Sequence, residues 1–128
     1  MSNLIDLLGR VLISSVFLLS GYNKAINYSG TINFMEDFGI PGLLIIPAII
    51  IEIILPVLII LGYQTKTAAT ILSLFCITTA FIFHFDFTDQ MQVISFCKNL
   101  SLAGGLLFLS IHGPKDWVIK KKKKYVRL

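Results

Sequence analysis

Apolar and polar positions divide the chain into four long hydrophobic runs joined by shorter polar connections. A transmembrane helix needs roughly 20 mostly apolar residues, and the runs at about 4–22, 42–62, 66–85 and 92–112 meet that requirement. Only "GYQTK" at 62–66 joins the second and third runs, so these two are predicted to form a tight helical hairpin. The pattern predicts an all-α fold, a four-helix transmembrane bundle.

The longest connection, between the first and second spans, has a periodicity of its own. Ile32, Met35 and Phe38 recur at helical spacing, and Glu36 and Asp37 lie on the opposite side. This pattern is typical of an amphipathic helix that lies in the membrane interface. We therefore expect a short interfacial helix between the first two spans.

Positive charge marks one side of the predicted bundle. The basic tail at about 115–128 carries Lys115, five lysines at 120–124 and Arg127, whereas the first and third connections are mostly acidic. Because Lys and Arg accumulate on the cytoplasmic side, both termini are expected to face the cytoplasm. The lysine run is interpreted as a topology anchor that also attracts anionic headgroups. Docking of a protein partner is the alternative.

The composition favours a membrane protein. Of the 128 residues, 55% are hydrophobic and 14% are charged, whereas soluble domains carry about 25% charged residues. The length predicts a single domain over 1–128. No basic segment precedes the first span, which is therefore expected to be retained rather than cleaved as a signal peptide. The net charge of +4 comes mostly from the tail, so nucleic-acid binding has no support.

The sequence has no self-contained catalytic motif of the P-loop, Rossmann or Ser–His–Asp type, so it does not decide whether the protein is an enzyme. Cys76 and Cys97 lie in apolar runs and are interpreted as small core residues. His84 and His112 are expected at opposite faces of the membrane, where they cannot share a metal ion. No metal site is predicted.

A single carboxylate, Glu52, lies in the middle of the second span, about 15 Å from its start at 1.5 Å per residue. A charge at that depth costs at least a few kcal/mol unless it is paired, wetted or neutralised. Glu52 is therefore predicted to face the bundle interior. Pro47 and Pro56 flank it, and each is expected to break the helix and free a carbonyl, which would make a polar cavity. A structural ion pair or a neutral acid is the alternative.

The direction of the side chains selects partners for this acid. Every Cα–Cβ bond tilts toward the N-terminus of its helix. Glu52 and Lys98 are thus expected to lean toward the outer surface, whereas Lys24 and His84 lean from that surface into the bilayer. Asn99 adds an amide beside Lys98. We expect these side chains to form one cluster in the outer half of the bundle.

Three basic residues have a second interpretation. Arg10, near the inner end of the first span, is interpreted as snorkelling to the inner headgroups, with Glu52 as its alternative partner. Snorkelling to the headgroups is also the alternative interpretation of Lys24 and Lys98. Small residues in the first and fourth spans favour close helix packing; they are Ser14, Ser15, Ser20, Gly21, Ser101, Ala103, Gly104 and Gly105.

Several motifs along the chain resemble those of the DoxX family, and within it the branch of YphA/YqjF-type inner-membrane proteins. The resemblance covers nearly the whole chain, and only the lysine-rich tail departs from it. The matching segments are "GR" at 9–10, "FLLSGYNK" at 17–24, "GTINFMEDFGIP" at 30–41, Glu52, "LGYQTK" at 61–66, "FH" at 83–84 and "FCKNLSLAGG" at 96–105.

The resemblance implies a multi-pass four-helix bundle in the bacterial inner (cytoplasmic) membrane. The family includes small subunits of thiosulfate:quinone oxidoreductases and partners of membrane-associated redox complexes. The first hypothesis is thus a redox-linked subunit that binds quinone in the outer-half pocket and holds no covalent cofactor. In it Glu52 exchanges protons, and the ligand-binding residues are Lys24, His84, Lys98, Asn99 and Arg10.

Two other functions are consistent with the sequence. A non-catalytic scaffold would anchor a partner oxidoreductase, or a second copy of the chain, and would use the buried charges for helix pairing. A small-metabolite transporter ranks third, because no inverted repeat is evident and four spans would require an oligomer.

Overall fold

The computed structural model describes residues 1–119. Within that range it contains five α-helices and no strand, which confirms the all-α class. A short 3₁₀ turn, Gly42–Leu44, leads directly into the third helix. The lysine run at 120–124 and Arg127 lie outside the described residues. The helices are α1 (Ser2–Ile26), α2 (Tyr28–Asp37), α3 (Ile45–Leu61), α4 (Thr65–Phe83) and α5 (Gln90–His112).

The four long helices run alternately up and down. α1 packs against α3, α4 packs against α5, and the two pairs meet mainly through α3 and α4, whereas α1 and α5 have little contact. One end of the bundle carries Met1, the α3–α4 turn and the end of α5, and we call it the terminal end. The other carries α2 and the α4–α5 connection at 84–89, and we call it the loop end.

The outside of the bundle is apolar. A small buried core includes Phe17, Ile59 and Leu72. Large apolar side chains are exposed on the outside; Leu12 is 70% exposed and Phe108 is 71% exposed. Water would disfavour an apolar surface of this extent, whereas lipid chains cover it without penalty. Among residues 1–119, four helices have the length and hydropathy of membrane spans, as predicted.

The α3–α4 hairpin is as tight as predicted. Gly62 adopts a left-handed conformation (φ +75°) that ends α3. Its N–H donates to the Ile59 carbonyl (3.1 Å), and the N–H of Tyr63 donates to the Leu58 carbonyl (3.0 Å). This is a Schellman-type C-terminus, in which glycine adopts the left-handed conformation without steric cost.

Two predictions about these helices are wrong. Pro47 does not break the helix, because it lies in the first turn of α3, where its missing N–H has no intrahelical acceptor. Pro56 does not break the helix either, because α3 continues through it to Leu61. It lies in the helix interior, where it removes the N–H that would bond to the carbonyl of Glu52. Cys97 is exposed, because α5 turns this position away from α4; Cys76 alone is a core residue.

Arg10 closes the terminal end of the bundle. It is only 2% exposed, and its Nε donates to Asp6 at 2.9 Å. Its Nη1 donates to the carbonyls of Ile59 (3.1 Å) and Ile60 (2.7 Å), and its Nη2 donates to the carbonyl of Trp117 (2.6 Å). The guanidinium therefore binds the C-terminal carbonyls of α3 and fastens the segment at 113–119. It neither snorkels nor contacts Glu52, so both interpretations of Arg10 are wrong.

These contacts complete the hydrogen bonding at the end of α3. The last four carbonyls of a helix have no intrahelical donor. The α3–α4 turn supplies donors for the carbonyls of Leu58 and Ile59. Arg10 donates to the carbonyls of Ile59 and Ile60. The N–H of Ile119 donates to the carbonyl of Leu61 at 2.9 Å. All four carbonyls thus have a partner.

Candidate functional site

A charged pair joins α1 and α3 in the half of the bundle toward the loop end. The Lys24 Nζ lies 2.9 Å from Oε1 and 3.0 Å from Oε2 of Glu52. The glutamate side chain is 4% exposed and the lysine side chain 24%. Because the two helices are antiparallel, the N-terminal tilt of both side chains carries them toward each other. The predicted basic partner of Glu52 is therefore Lys24, which does not snorkel.

Ser20 completes the surroundings of the ammonium group. It lies four residues before Lys24 on the same face of α1, and its Oγ is 2.9 Å from Nζ. An ammonium group has three hydrogen-bond donors, and three oxygen atoms surround this one. Lys24 is therefore held in a single position, with Glu52 as its counter-charge.

Gly21 allows the two helices to approach at this level. A Cβ atom built on Gly21 would lie 2.7 Å from Ile53 Cδ1 and 3.1 Å from the Cβ of Glu52. Any larger side chain would therefore push α1 away from α3 beside the charged pair. The small residue that the sequence marked for close packing has this function here.

We expect Gly21→Val to lower the free energy of unfolding by about 1–3 kcal/mol, the usual cost of overpacking. The matched control is Gly104→Val, because a Cβ there meets nothing within 4 Å. Reversible unfolding in mixed micelles, followed by circular dichroism, measures both. Equal stability of the two variants would contradict the close approach of α1 and α3.

A cavity of about 760 Å³ opens beside the charged pair, and all five helices contribute to its wall. This is within the range of small-molecule sites, roughly 300–1,000 Å³. Part of the wall consists of aromatic side chains, and another part consists of hydroxyl, amide and imidazole groups. The polar members besides the charged pair and Ser20 are Asn23, Asn27, Thr31, Thr78, Thr79, His84 and Asn99.

The short helix α2 covers the loop end of this cavity. Thr31, Phe34 and Met35 face it, and Met35 is buried. The ring of Phe34 stacks on that of Phe83 with centroids 5.4 Å apart. Aromatic contacts of this kind add about 0.5–1.5 kcal/mol to the burial of the rings. The predicted helix between the first two spans is therefore the cover of the cavity.

Hydrogen bonds in the α4–α5 connection position His84. Thr88 donates to Asp86 through its N–H and its hydroxyl, which lowers the pKa of Asp86. Asp89 accepts the N–H of Met91 at 3.0 Å and caps α5. The start of α5 then brings Gln92 Oε1 to 2.9 Å from His84 Nδ1. With this oxygen as acceptor, Nδ1 is the donor of the hydrogen bond.

Four of the six predicted site residues line the cavity: Lys24, Glu52, His84 and Asn99. Lys98 does not join them. It is exposed and lies in a separate groove between α1 and α5, because successive residues of a helix are about 100° apart and Asn99 takes the inward position. The expectation of one cluster that includes Lys98 is therefore wrong. Arg10 lies at the terminal end. The carbonyl of Ile59 that it binds is seven residues after Glu52, or about 10 Å along the axis of α3.

Several cavity residues were not predicted as site residues. Asn23 and Asn27 lie four residues apart, Ser20 lies four before Lys24, and Thr79 lies three after Cys76. Residues three or four apart lie on the same side of a helix, and Lys24 would have selected the side of α1 that carries Ser20. The signal was present as spacing, but these residue types are also common in helix packing.

These observations define the class of the protein. Four membrane-spanning helices enclose a charged pair and a cavity with polar groups, so the chain is an integral membrane protein of the four-helix type.

The DoxX family model matches residues 5–85, well over half of the chain, and the chain therefore belongs to the DoxX family. It is 35% identical to the inner membrane protein YqjF of Escherichia coli (strain K12) over 115 residues, which cover 90% of this chain and 88% of the relative. It is 33% identical to the inner membrane protein YphA of the same organism over 115 residues, 84% of this chain and 82% of the relative. No solved structure matches the chain significantly. These relatives and the four spans show a multi-pass protein of the bacterial inner membrane.

Proposed function

We propose that the protein is a redox-linked membrane subunit that binds the head group of a quinone beside Lys24 and Glu52. The observation that carries the proposal is the charged pair at the wall of a cavity of about 760 Å³ inside the bundle. A quinone needs an apolar slot for its ring and one or two hydrogen-bond donors for its carbonyl oxygens. The cavity supplies both kinds of group.

The polar groups are held in place before the ligand arrives. Lys24 is fixed by Glu52 and Ser20, and its fixed positive charge favours the negative charge that grows on a quinone oxygen during reduction. The Asn99 amide lies on the α5 side of the cavity and offers a hydrogen-bond donor. Phe34 and Phe83 supply aromatic surface for the ring.

Reduction of a quinone to a quinol consumes two electrons and two protons. In our proposal the electrons come from the bound redox centre of a partner oxidoreductase. Both protons pass in turn through Glu52, which takes each one from water at the loop end and gives it to a ligand oxygen. Lys24 stays protonated and keeps the carboxylate in place. No bond forms between the protein and the ligand.

The orientation of the site follows from the charge pattern. If the basic tail lies in the cytoplasm, as the distribution of Lys and Arg predicts, the loop end and the cavity face the outer half of the bilayer. The partner that supplies electrons would then reach the site from that side. Accessibility of an introduced cysteine to a membrane-impermeant maleimide in intact cells measures this orientation.

Titration of the protein in lipid nanodiscs with 2-methyl-1,4-naphthoquinone tests the proposal. We expect saturable binding to the wild type and at least about tenfold weaker binding to Glu52→Gln, which corresponds to about 1.4 kcal/mol. The reason is that glutamine has no negative charge and only one of the two oxygen atoms that hold the ammonium of Lys24. The matched control is Glu36→Gln, an exposed carboxylate on α2, and we expect it to bind like the wild type.

The scaffold hypothesis predicts a different outcome of this experiment. If Glu52→Gln binds the quinone as the wild type does but no longer copurifies with a partner oxidoreductase, the charged pair serves assembly and the proposal is wrong. The same conclusion follows if the wild type binds no quinone at saturating concentration.

A further inference from the structure

A second depression lies between α1 and α5 at the side of the bundle. It measures about 620 Å³, and Ile13, Ile94, Cys97, Lys98 and Ser101 are among its lining residues. We call it the α1–α5 groove. α1 and α5 have little contact, so a space remains between them. At one point of close approach, Gly105 has no side chain, and a Cβ built there would lie 3.1 Å from Ile13 Cδ1.

The groove and the cavity share a wall. Val16 of α1 and Leu102 of α5 line both spaces. Val16 lies ten residues before the end of α1, or about 15 Å along the helix axis. This is half the thickness of a hydrocarbon core of about 30 Å. The groove therefore opens beside the cavity at the depth of the lipid chains rather than at the membrane surface.

We infer that the α1–α5 groove is the lateral entrance to the cavity and holds the apolar chain of the bound ligand. The inference rests on the proposed function in one respect, since it takes the cavity as the site of the head group. It specifies the ligand further, as a lipid-soluble molecule with a long apolar chain. A water-soluble molecule would not reach an opening at this depth, because it would have to pass through the lipid chains.

The one cation of the groove among residues 1–119 is compatible with an apolar occupant. Lys98 lies eight residues after the start of α5, about 12 Å along its axis. Its Cα–Cβ bond tilts toward the loop end, and a lysine presents its alkyl stem to apolar surroundings while its ammonium extends toward water. The stem then forms part of the groove wall. The polar head group can contact the ammonium as it passes.

A pair of tryptophan variants tests the inference. Ser101→Trp fills the groove from a position that lines it and does not line the cavity. Leu100→Trp is the matched control, because Leu100 lies at the same depth of α5, is exposed and lines neither space. Each variant is titrated in nanodiscs with the chainless 2-methyl-1,4-naphthoquinone and with the same ring carrying a four-isoprenyl chain.

We expect Ser101→Trp to weaken binding of the chain-bearing quinone at least about tenfold and to leave the chainless quinone unchanged. Leu100→Trp should change neither. If Ser101→Trp binds both quinones like the wild type, the groove is not the entrance, and the proposed function stands. If the wild type binds neither quinone, the proposed function is wrong.

A second measurement avoids the risk that Ser101→Trp fails to fold. Cys97 is exposed in the groove of the folded protein, whereas Cys76 is buried. A bulky maleimide added to the purified wild type therefore reacts at Cys97 and obstructs the groove. We expect the same selective loss of the chain-bearing quinone, and equal binding before and after modification would overturn the inference.

Discussion

Replacing Lys24 with methionine should lower the free energy of unfolding by about 3–5 kcal/mol, the usual cost of removing one partner from a buried ion pair. The reason is that Glu52, whose side chain is 4% exposed, would lose both its counter-charge and its hydrogen-bond donor inside the bundle. Reversible unfolding in mixed micelles measures the change. Lys98→Met is the control, because Lys98 is exposed and has no ion pair within the described residues. A loss no larger for Lys24→Met than for Lys98→Met would contradict the prediction.

The double variant Lys24→Met/Glu52→Met separates stability from function. Two apolar side chains of similar volume replace a buried ion pair without loss in several proteins, or even with a gain. We therefore expect the double variant to recover most of the stability lost in Lys24→Met. We also expect it to bind no quinone, because the fixed positive charge and the carboxylate are both gone. A stable bundle without binding would mean that the pair is retained for its ligand and not for folding.

The charged pair was predictable because depth and direction are both encoded in the sequence. The length of each apolar run gives the depth of Glu52, and the tilt of the Cα–Cβ bond gives the direction of Lys24. The four spans and the short α3–α4 turn follow from run lengths alone. These features depend on position along a helix axis, which sequence spacing measures directly.

Position around the helix axis was harder to predict. A soluble helix shows its buried face by an apolar stripe, but a membrane helix is apolar on all sides, so its sequence does not mark the inward face. Lys98 and Asn99 are adjacent, yet one lines the groove and the other the cavity. Cys97 was assigned to the core for the same reason and is exposed.

The contacts of Arg10 could not be predicted, because they depend on a segment without a repeating pattern. Residues 113–119 follow α5 and return to the bundle, and their backbone meets Arg10, Asp6 and Asn3. Nothing in the spacing of this segment indicates that return. Arg10 at one end of the first span was therefore interpreted as snorkelling, the common role of such a residue.

Replacing Arg10 with methionine is expected to cost at least about 3 kcal/mol of stability. Its side chain is 1% exposed, and its loss removes the donors of the Ile60 and Trp117 carbonyls. It also removes the cation beside Asp6, which keeps the N–H of Lys115. Each buried polar group left without a partner costs about 1–3 kcal/mol. Reversible unfolding in mixed micelles measures the loss, and a variant as stable as the wild type would contradict this account of the terminal end.

Arg10→Lys distinguishes the charge of Arg10 from its shape. Lysine keeps the positive charge near the C-terminus of α3, where a cation is favoured, but an ammonium group cannot span the positions that the guanidinium fork reaches. We expect intermediate stability, and we expect trypsin to cleave after Lys115 faster than in the wild type, because residues 113–119 lose the anchor at Trp117. If cleavage is accelerated in Arg10→Met but not in Arg10→Lys, charge alone holds the segment and the geometry of the guanidinium is dispensable.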